Sequence, residues 1–138
     1  MNNYKRAKAI YNLLTNEEKK LISPSDDYKN TNNLLYRYIL NLDNNKSFYN
    51  DVGFVDIYQF LPFKTTGFII LAIKPEFRKQ GYGKLLLDNA IKASKNLGLK
   101  KLIYRCDINN LPSITLAKSY GLTLSTKGKE YYSFYYQL

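Results

Sequence analysis

Residues 67–83 read Gly67-Phe68-Ile69-Ile70-Leu71-Ala72-Ile73-Lys74-Pro75-Glu76-Phe77-Arg78-Lys79-Gln80-Gly81-Tyr82-Gly83. The first eight are a nearly continuous apolar run of strand length, and the proline ends it. Beyond Phe77, residues Tyr82, Leu86, Ala90, Ala93 and Leu97 recur at helical spacing, and Gly98 suits the C-terminal cap. The next strand, Lys101 to Cys106, follows at once. A strand, a helix of about 15 residues and a second strand form a right-handed crossover, which makes the two strands parallel neighbours.

Upstream, Gly53 to Leu61 alternates Phe54, Asp56, Tyr58 and Phe60 against Val55, Ile57, Gln59 and Leu61, a period of two. With the turn signals at 62–66 it predicts an antiparallel hairpin into residues 67–74. Earlier still, Ala7, Ile10, Tyr11, Leu14 and Leu21 predict a helix over 4–21, stopped at Ser23-Pro24. Residues 25–30 read as a loop. A second helix is expected from near Thr31, carried by Leu34, Leu35, Tyr38, Ile39 and Leu42 and ended by Asp43-Asn44-Asn45-Lys46. A further short strand at 47–50 would extend the sheet. Downstream come a helix over 111–119, a strand over 122–125, a turn at Lys127-Gly128-Lys129 and an aromatic strand over 131–137. The expected fold class is α/β, a mixed sheet flanked by helices in the order α-α-β-β-α-β-α-β-β. At 138 residues the chain is expected to be one domain, 1–138.

Composition narrows the chemistry. With 45% apolar and 15% aromatic residues the chain can build a core without disulfides, and its single cysteine, Cys106, excludes an internal one. The absence of histidine removes His-dependent triads and the usual zinc and iron sites, so no metal is expected. The basic N-terminal residues lack an apolar stretch after them, and the longest apolar run, 68–73, is too short to span a bilayer. A cytoplasmic protein without a membrane partner is the expectation. The net charge of +10 is uneven: residues 1–63 carry +1, residues 106–138 carry +1, and residues 64–105 carry +8. Codon bias would spread the excess, whereas concentration in 42 residues points to an anionic partner near Gly81 and Gly83.

Arg78-Lys79-Gln80-Gly81-Tyr82-Gly83 lies between a strand and the first turn of a helix. Glycines there let a ligand approach the backbone, and the free N–H groups of the helix start suit a phosphate or pyrophosphate. The dinucleotide fingerprint fails because Leu86 stands where its third glycine should be, and the Walker pattern fails because Leu85 follows Lys84.

Ile73 to Leu86 resembles the R/Q-x-x-G-x-G/A signature of the GNAT family of N-acetyltransferases. The likeness continues through Asn110, Ser113, Leu116 and Gly121-Leu122, similar to that family's N-x-x-A/S-x-x-L-Y-x-x-x-G-F segment. It covers residues 67–122; residues 1–63 match only the family's two variable helices, and its usual first strand is not evident. The resemblance implies an acyltransferase that moves an acetyl group from acetyl-CoA directly to an amine, on a small molecule or a protein, without an acyl-enzyme. Acetyl-CoA would be a co-substrate. Its pyrophosphate would lie in the loop of Arg78, Lys79, Gln80, Gly81, Tyr82, Gly83 and Lys84. Its pantetheine arm would pair with the backbone of Leu71, Ala72 and Ile73, where that strand splays from residues 102–106. Asn110 and Ser113 would contact it from the other side.

The sequence departs from the family at one position. A tyrosine often stands seven residues after the asparagine, as general acid for the leaving thiolate, and here that residue is Ala117. Tyr120, one helical turn on, is a substitute candidate, and Asp56 is the only carboxylate central to a core strand and so the candidate general base. Cys106 reads as packing, since no histidine could activate it. The tyrosines of the last strand suit core and dimer-interface packing, which makes a homodimer an expected partner. Two other functions stay open at this point: a non-catalytic CoA-binding module of the same fold, and a basic nucleic-acid-binding domain, the latter the less expected partner.

Overall fold

The computed structural model describes residues 2–22, 33–44 and 46–138. Its elements are α1 (Asn3–Asn12), α2 (Asn16–Ile22), β1 (Leu34–Asn41), β2 (Asp51–Gln59), β3 (Thr66–Ile73), α3 (Tyr82–Asn96), β4 (Lys101–Asp107), α4 (Leu111–Tyr120), β5 (Thr123–Lys127) and β6 (Tyr131–Gln137). The stop at Ser23-Pro24, the loop over 25–30, the helix start at Thr31, and Asn45 lie outside the described residues.

The six strands form one mixed sheet in the order β1-β2-β3-β4-β6-β5. β2 and β3 are the expected antiparallel hairpin, with Gln59 opposite Gly67, and α3 crosses over to make β4 parallel to β3. Two apolar clusters lie on opposite faces of the sheet. On one face α3 and α4 cover Val55, Ile57, Leu102, Tyr104 and Phe134, with Leu86, Leu87 and Ala90 completely buried. On the other, α1 and the turn after it place Ala7, Ile10 and Leu14 against Ile39, Phe54, Ile70 and Ala72. Each fully buried leucine or phenylalanine contributes roughly 1.5–3 kcal/mol.

Two expectations about the first third of the chain change. The helix read over 4–21 is two helices, because Thr15 and Glu18 cap each other across the break. The Glu18 N–H donates to Thr15 Oγ1 at 3.1 Å, and the Thr15 N–H donates to Glu18 Oε1 at 2.9 Å. The second predicted helix is instead the strand β1, antiparallel to β2. Tyr36, Tyr38 and Leu40 pack on the α3 side while Ile39 packs on the α1 side. With apolar residues on both faces no alternation shows, and the chance spacing of Leu34, Tyr38 and Leu42 mimics a helix. The strand expected at 47–50 is a single 3₁₀ turn, Phe48–Asn50, closed by Ser47.

Buried polar groups on the α1 face are paired. Asp51 and Asp56 are both fully buried; Arg6 donates to Asp51 through Nε at 2.8 Å, and Arg37 donates to both oxygens of Asp56 at 2.8 and 2.7 Å. These bidentate pairs hold α1 and β1 to β2 in one register.

Candidate active site

β3 and β4 part company early. They pair only at Thr66/Lys101, Gly67/Leu102 and Phe68/Ile103, yet β3 continues to Ile73 and β4 to Asp107. The far edge of β3 stays bonded to β2 as far as Ile73 opposite Gly53. The backbone groups of alternate residues, Ile69, Leu71 and Ile73, therefore face an opening between two parallel strands rather than a partner strand, whereas those of Ala72 are turned to β2 like those of Lys74, whose N–H donates to the Val52 carbonyl at 2.8 Å. The splay of 71–73 from residues 102–106 expected from the resemblance begins two residues into that range, since Leu102 and Ile103 are still paired with Gly67 and Phe68.

The opening leads to the loop before α3. Pro75–Phe77 makes one 3₁₀ turn, Lys79 adopts φ 62° and Gly81 φ 85°. A left-handed lysine is uncommon, and two such residues in three fold the loop tightly. Gly81 is the N-cap of α3 and offers no side chain to the helix. A left-handed residue followed by a helical one converges successive N–H groups, a concavity that suits an anion, and the positive helix end reinforces it. A Cβ on Gly81 would meet nothing within 4 Å, so the space before it is open.

Gly83 also has a packing role that the sequence does not show. It is buried, and a Cβ there would lie 2.9 Å from Leu116 Cδ2. It brings α3 close to α4. The Arg78 side chain is also engaged: its Nε donates to the Ile73 carbonyl at 3.2 Å, and its Nη1 donates to Glu18. Lys79, Gln80 and Lys84 are exposed, and Tyr82 packs edge-on to Phe77 at 6.1 Å.

Asn110 and Ser113 follow β4 and so emerge at the same end of the sheet as the Arg78–Lys84 loop, as the ends of parallel strands require. Asn110 caps α4, its Oδ1 accepting the Ser113 N–H at 3.4 Å, and Tyr104 donates to Ser113 Oγ at 3.3 Å. Asp56 and Tyr120 are not brought there. Asp56 accepts from Arg37 and from Tyr58 at 3.2 Å; burial raises its carboxyl against the downward pull of Arg37. Tyr120 donates to Asp88 at 2.6 Å and stacks edge-on with Tyr136, which pairs with Leu102 where β3 and β4 are still joined. Ala117, at the position where a tyrosine was expected, is fully buried in the core. Cys106 is buried too, and burial pushes its thiol up to about 12.

The basic excess of residues 64–105 divides in space. Arg78, Lys79 and Lys84 border the loop, but Lys92 and Lys95 lie toward the far end of α3, about 15–20 Å away at 1.5 Å per residue. Lys100 is there too, its N–H donating to the carbonyl of Thr65 just before β3. One residue the sequence reading passed over, Arg105, sits on β4 beside the opening, stacked against Phe68 and Tyr131. Its signal was present: it puts a charge at the outward position between the inward Tyr104 and Cys106. Among the described residues no helix is long and apolar enough to cross a membrane.

The sequence matches the family model described as Acetyltransferase (GNAT) family over residues 7–122. No curated protein matches it. Among solved structures it is similar to the Campylobacter jejuni N-acetyltransferase PseH in complex with acetyl coenzyme A, at 21% identity and TM-score 0.56, over 64% of this chain and 60% of that one. It is also similar to the GNAT domain of S. lividans PAT, at 12% identity and TM-score 0.77, over 99% of this chain and 85% of that one. A third is smu.2055 from Streptococcus mutans UA159, at 14% identity and TM-score 0.71, over 98% and 93%. The chain thus spans less than two thirds of PseH, and these likenesses are of fold.

Proposed function

Because the chain belongs to the acetyltransferase (GNAT) family, we propose that it is an acetyl-CoA-dependent N-acetyltransferase. The observation that carries this reading is the parting of β3 from β4 after Phe68 and Ile103, directly beside the left-handed Gly81 loop. That opening suits a long, amide-bearing arm, and the loop suits the pyrophosphate at its end. In this reading the N–H and C=O of Leu71 and the N–H of Ile73 pair with pantetheine, while Ala72, turned to β2, holds the strand in place. The N–H groups from Lys79 to Lys84 take the phosphates, and Asn110 and Ser113 flank the arm. The side chain of Arg78 acts by holding the loop through Glu18 and Ile73.

The reaction is direct transfer. The acceptor nitrogen attacks the thioester carbon, the carbonyl oxygen takes the negative charge, and the C–S bond breaks as the amide forms. The amine proton leaves to solvent and the CoA thiolate takes one from it. An unpaired N–H of β3 facing the opening stabilises the oxyanion, and holding the amine against the thioester supplies the remainder. A thiol held near 12 stays protonated at neutral pH, so Cys106 is no acyl carrier. Tyr120, engaged by Asp88, and Asp56, engaged by Arg37 and Tyr58, act as structural ties rather than as acid and base. Among the described residues the basic side chains of 64–105 divide between the two ends of α3, which favours a small anionic cofactor at the loop over a nucleic acid. The acceptor is an amine on a small molecule or a protein, and the cytoplasm, where free acetyl-CoA is made and used, is the compartment implied.

Calorimetric titration with acetyl-CoA, followed by an amine screen that detects free CoA thiol, tests the proposal. Binding with thiol release upon adding an amine is expected. No binding at millimolar acetyl-CoA overturns the reading, and binding without release for any amine reduces it to a CoA-binding module.

A further inference from the structure

Arg105 lies two residues beyond Ile103, the last residue of β4 paired to β3. It is opposite Ser133 of β6 and shares the sheet face of Phe68, Ile70 and Ala72, the face away from α3 and α4. Its guanidinium carbon is 5.5 Å from the centre of the Phe68 ring and 5.3 Å from that of Tyr131. The two rings fix the planar group through cation–π contacts but leave its N–H edge unused. The side chain is exposed and, among the described residues, makes neither hydrogen bond nor ion pair. Arg6, Arg37 and Arg78, by contrast, are each paired with a carboxylate. A guanidinium fixed in direction with its fork of donors free is the arrangement that binds a carboxylate bidentately.

Arg105 borders a cleft of about 580 Å³, formed with Tyr131 and Ser133 of β6, Thr126 of β5, and Lys129 and Glu130 of the β5–β6 turn. Two cations against one carboxylate leave it net positive. The cleft opens on the sheet face opposite α3, beside the parted strands. Arg105 connects the two, since it lines the cleft and stands on β4 two residues past the last pairing with β3.

We infer that the acyl acceptor is a small amine bearing a carboxylate, an amino acid in chemical class, whose carboxylate is held by Arg105. This rests on the acetyltransferase reading above and names the substrate of the same site. The volume accommodates a molecule of that size, and Lys129 adds to the attraction at longer range. Arg105 sets specificity by holding the acceptor's carboxylate, at a point remote from the reacting nitrogen.

The test offers the twenty free amino acids and their α-amides as acceptors to the wild-type chain, Arg105→Gln and Arg105→Lys, with free CoA thiol as the readout. Acetyl-CoA binding is measured calorimetrically in parallel. At least one free acid is expected to exceed its amide in kcat/KM by about 10- to 100-fold, the scale of a hydrogen-bonded charge pair. Arg105→Gln is expected to erase that margin mainly through KM, with acetyl-CoA affinity unchanged, and Arg105→Lys to keep part of it. Amides used as well as acids, a margin that survives Arg105→Gln, or acetyl-CoA binding with no amino acid acetylated would each overturn the inference alone. Failure of the wild-type chain to bind acetyl-CoA would overturn the acetyltransferase reading and this inference with it.

Discussion

Arg78, in the loop before α3, is ion-paired with Glu18 of α2, so the arginine of the proposed phosphate loop faces the N-terminal helices and not the mouth of α3. Glu18 is at once the capping partner of Thr15 and the anchor of that loop. The α1–α2 break and the cofactor loop therefore share one carboxylate.

Glu18→Gln should cost little stability, no more than about 1 kcal/mol, because the pair is partly exposed. It should raise acetyl-CoA affinity several-fold at low salt by removing a negative charge beside the loop, an effect that fades at high salt. Burial pushes the Glu18 carboxyl up, but the Thr15 N–H and Arg78 outweigh it and hold it below the usual range. A depressed carboxyl stabilises the fold above its unfolded pKa, and the contribution disappears as pH falls through the lower folded one. Titration calorimetry at two salt concentrations, with urea unfolding across acid pH, checks both parts. An unchanged affinity at low salt would show that Glu18 does not communicate with the loop.

The two glycines of the loop should fail differently. Gly81→Ala forces a Cβ into the left-handed region with nothing nearby to clash, which costs about 1–2 kcal/mol of backbone strain. Gly83→Ala drives a Cβ into Leu116 and should cost about 1–3 kcal/mol by overpacking α3 against α4. Gly81→Asn, which tolerates positive φ, should recover much of the loss at 81, and the same residue at 83 should recover none. Chemical denaturation of the four variants distinguishes strain from overpacking.

Arg37→Ala should be far more damaging than an exposed charge deletion, by about 3–5 kcal/mol, because it leaves the buried Asp56 carboxylate without its counter-ion. Asp56 already titrates above its ordinary value through burial, and losing Arg37 lifts it further. A raised folded pKa means the folded state holds its proton more tightly. The variant should therefore regain stability as pH falls from the folded toward the unfolded value. Urea midpoints at pH 7 and pH 5 provide the measurement, and a variant that loses stability steadily on acidification would contradict this account.

Tyr120→Phe removes a hydroxyl that donates to Asp88 between α4 and α3. A stability loss of about 1 kcal/mol is expected, with turnover within twofold of wild type, since the phenol lies level with Leu102 where β3 and β4 are still paired. General acid catalysis is worth about 10²–10⁴-fold, so a loss on that scale with intact acetyl-CoA affinity would restore Tyr120 to the catalytic machinery.

The sequence by itself determined the middle of this protein. The apolar run to Ile73, the proline after it, the helical spacing to Leu97 and Gly98 are all local signals, and local backbone preference is enough to produce strand, loop, helix and strand in that order. Gly81 was legible for the same reason, because its conformation is set by its own φ. Tertiary structure decided what depends on partners distant in the chain. β1 was misread because both its faces are buried, which only the packing of α1 on one side and α3 on the other makes visible. Asp56 looked like a free carboxylate until Arg37, nineteen positions earlier, closed on it. The packing role of Gly83 became visible only when Leu116 of α4 lay against it. Arg105 became significant only when Phe68 and Tyr131, on two other strands, were brought to either side of its guanidinium. Period and turn chemistry act over a few residues, whereas burial, charge pairing and ring stacking depend on which elements the fold makes neighbours.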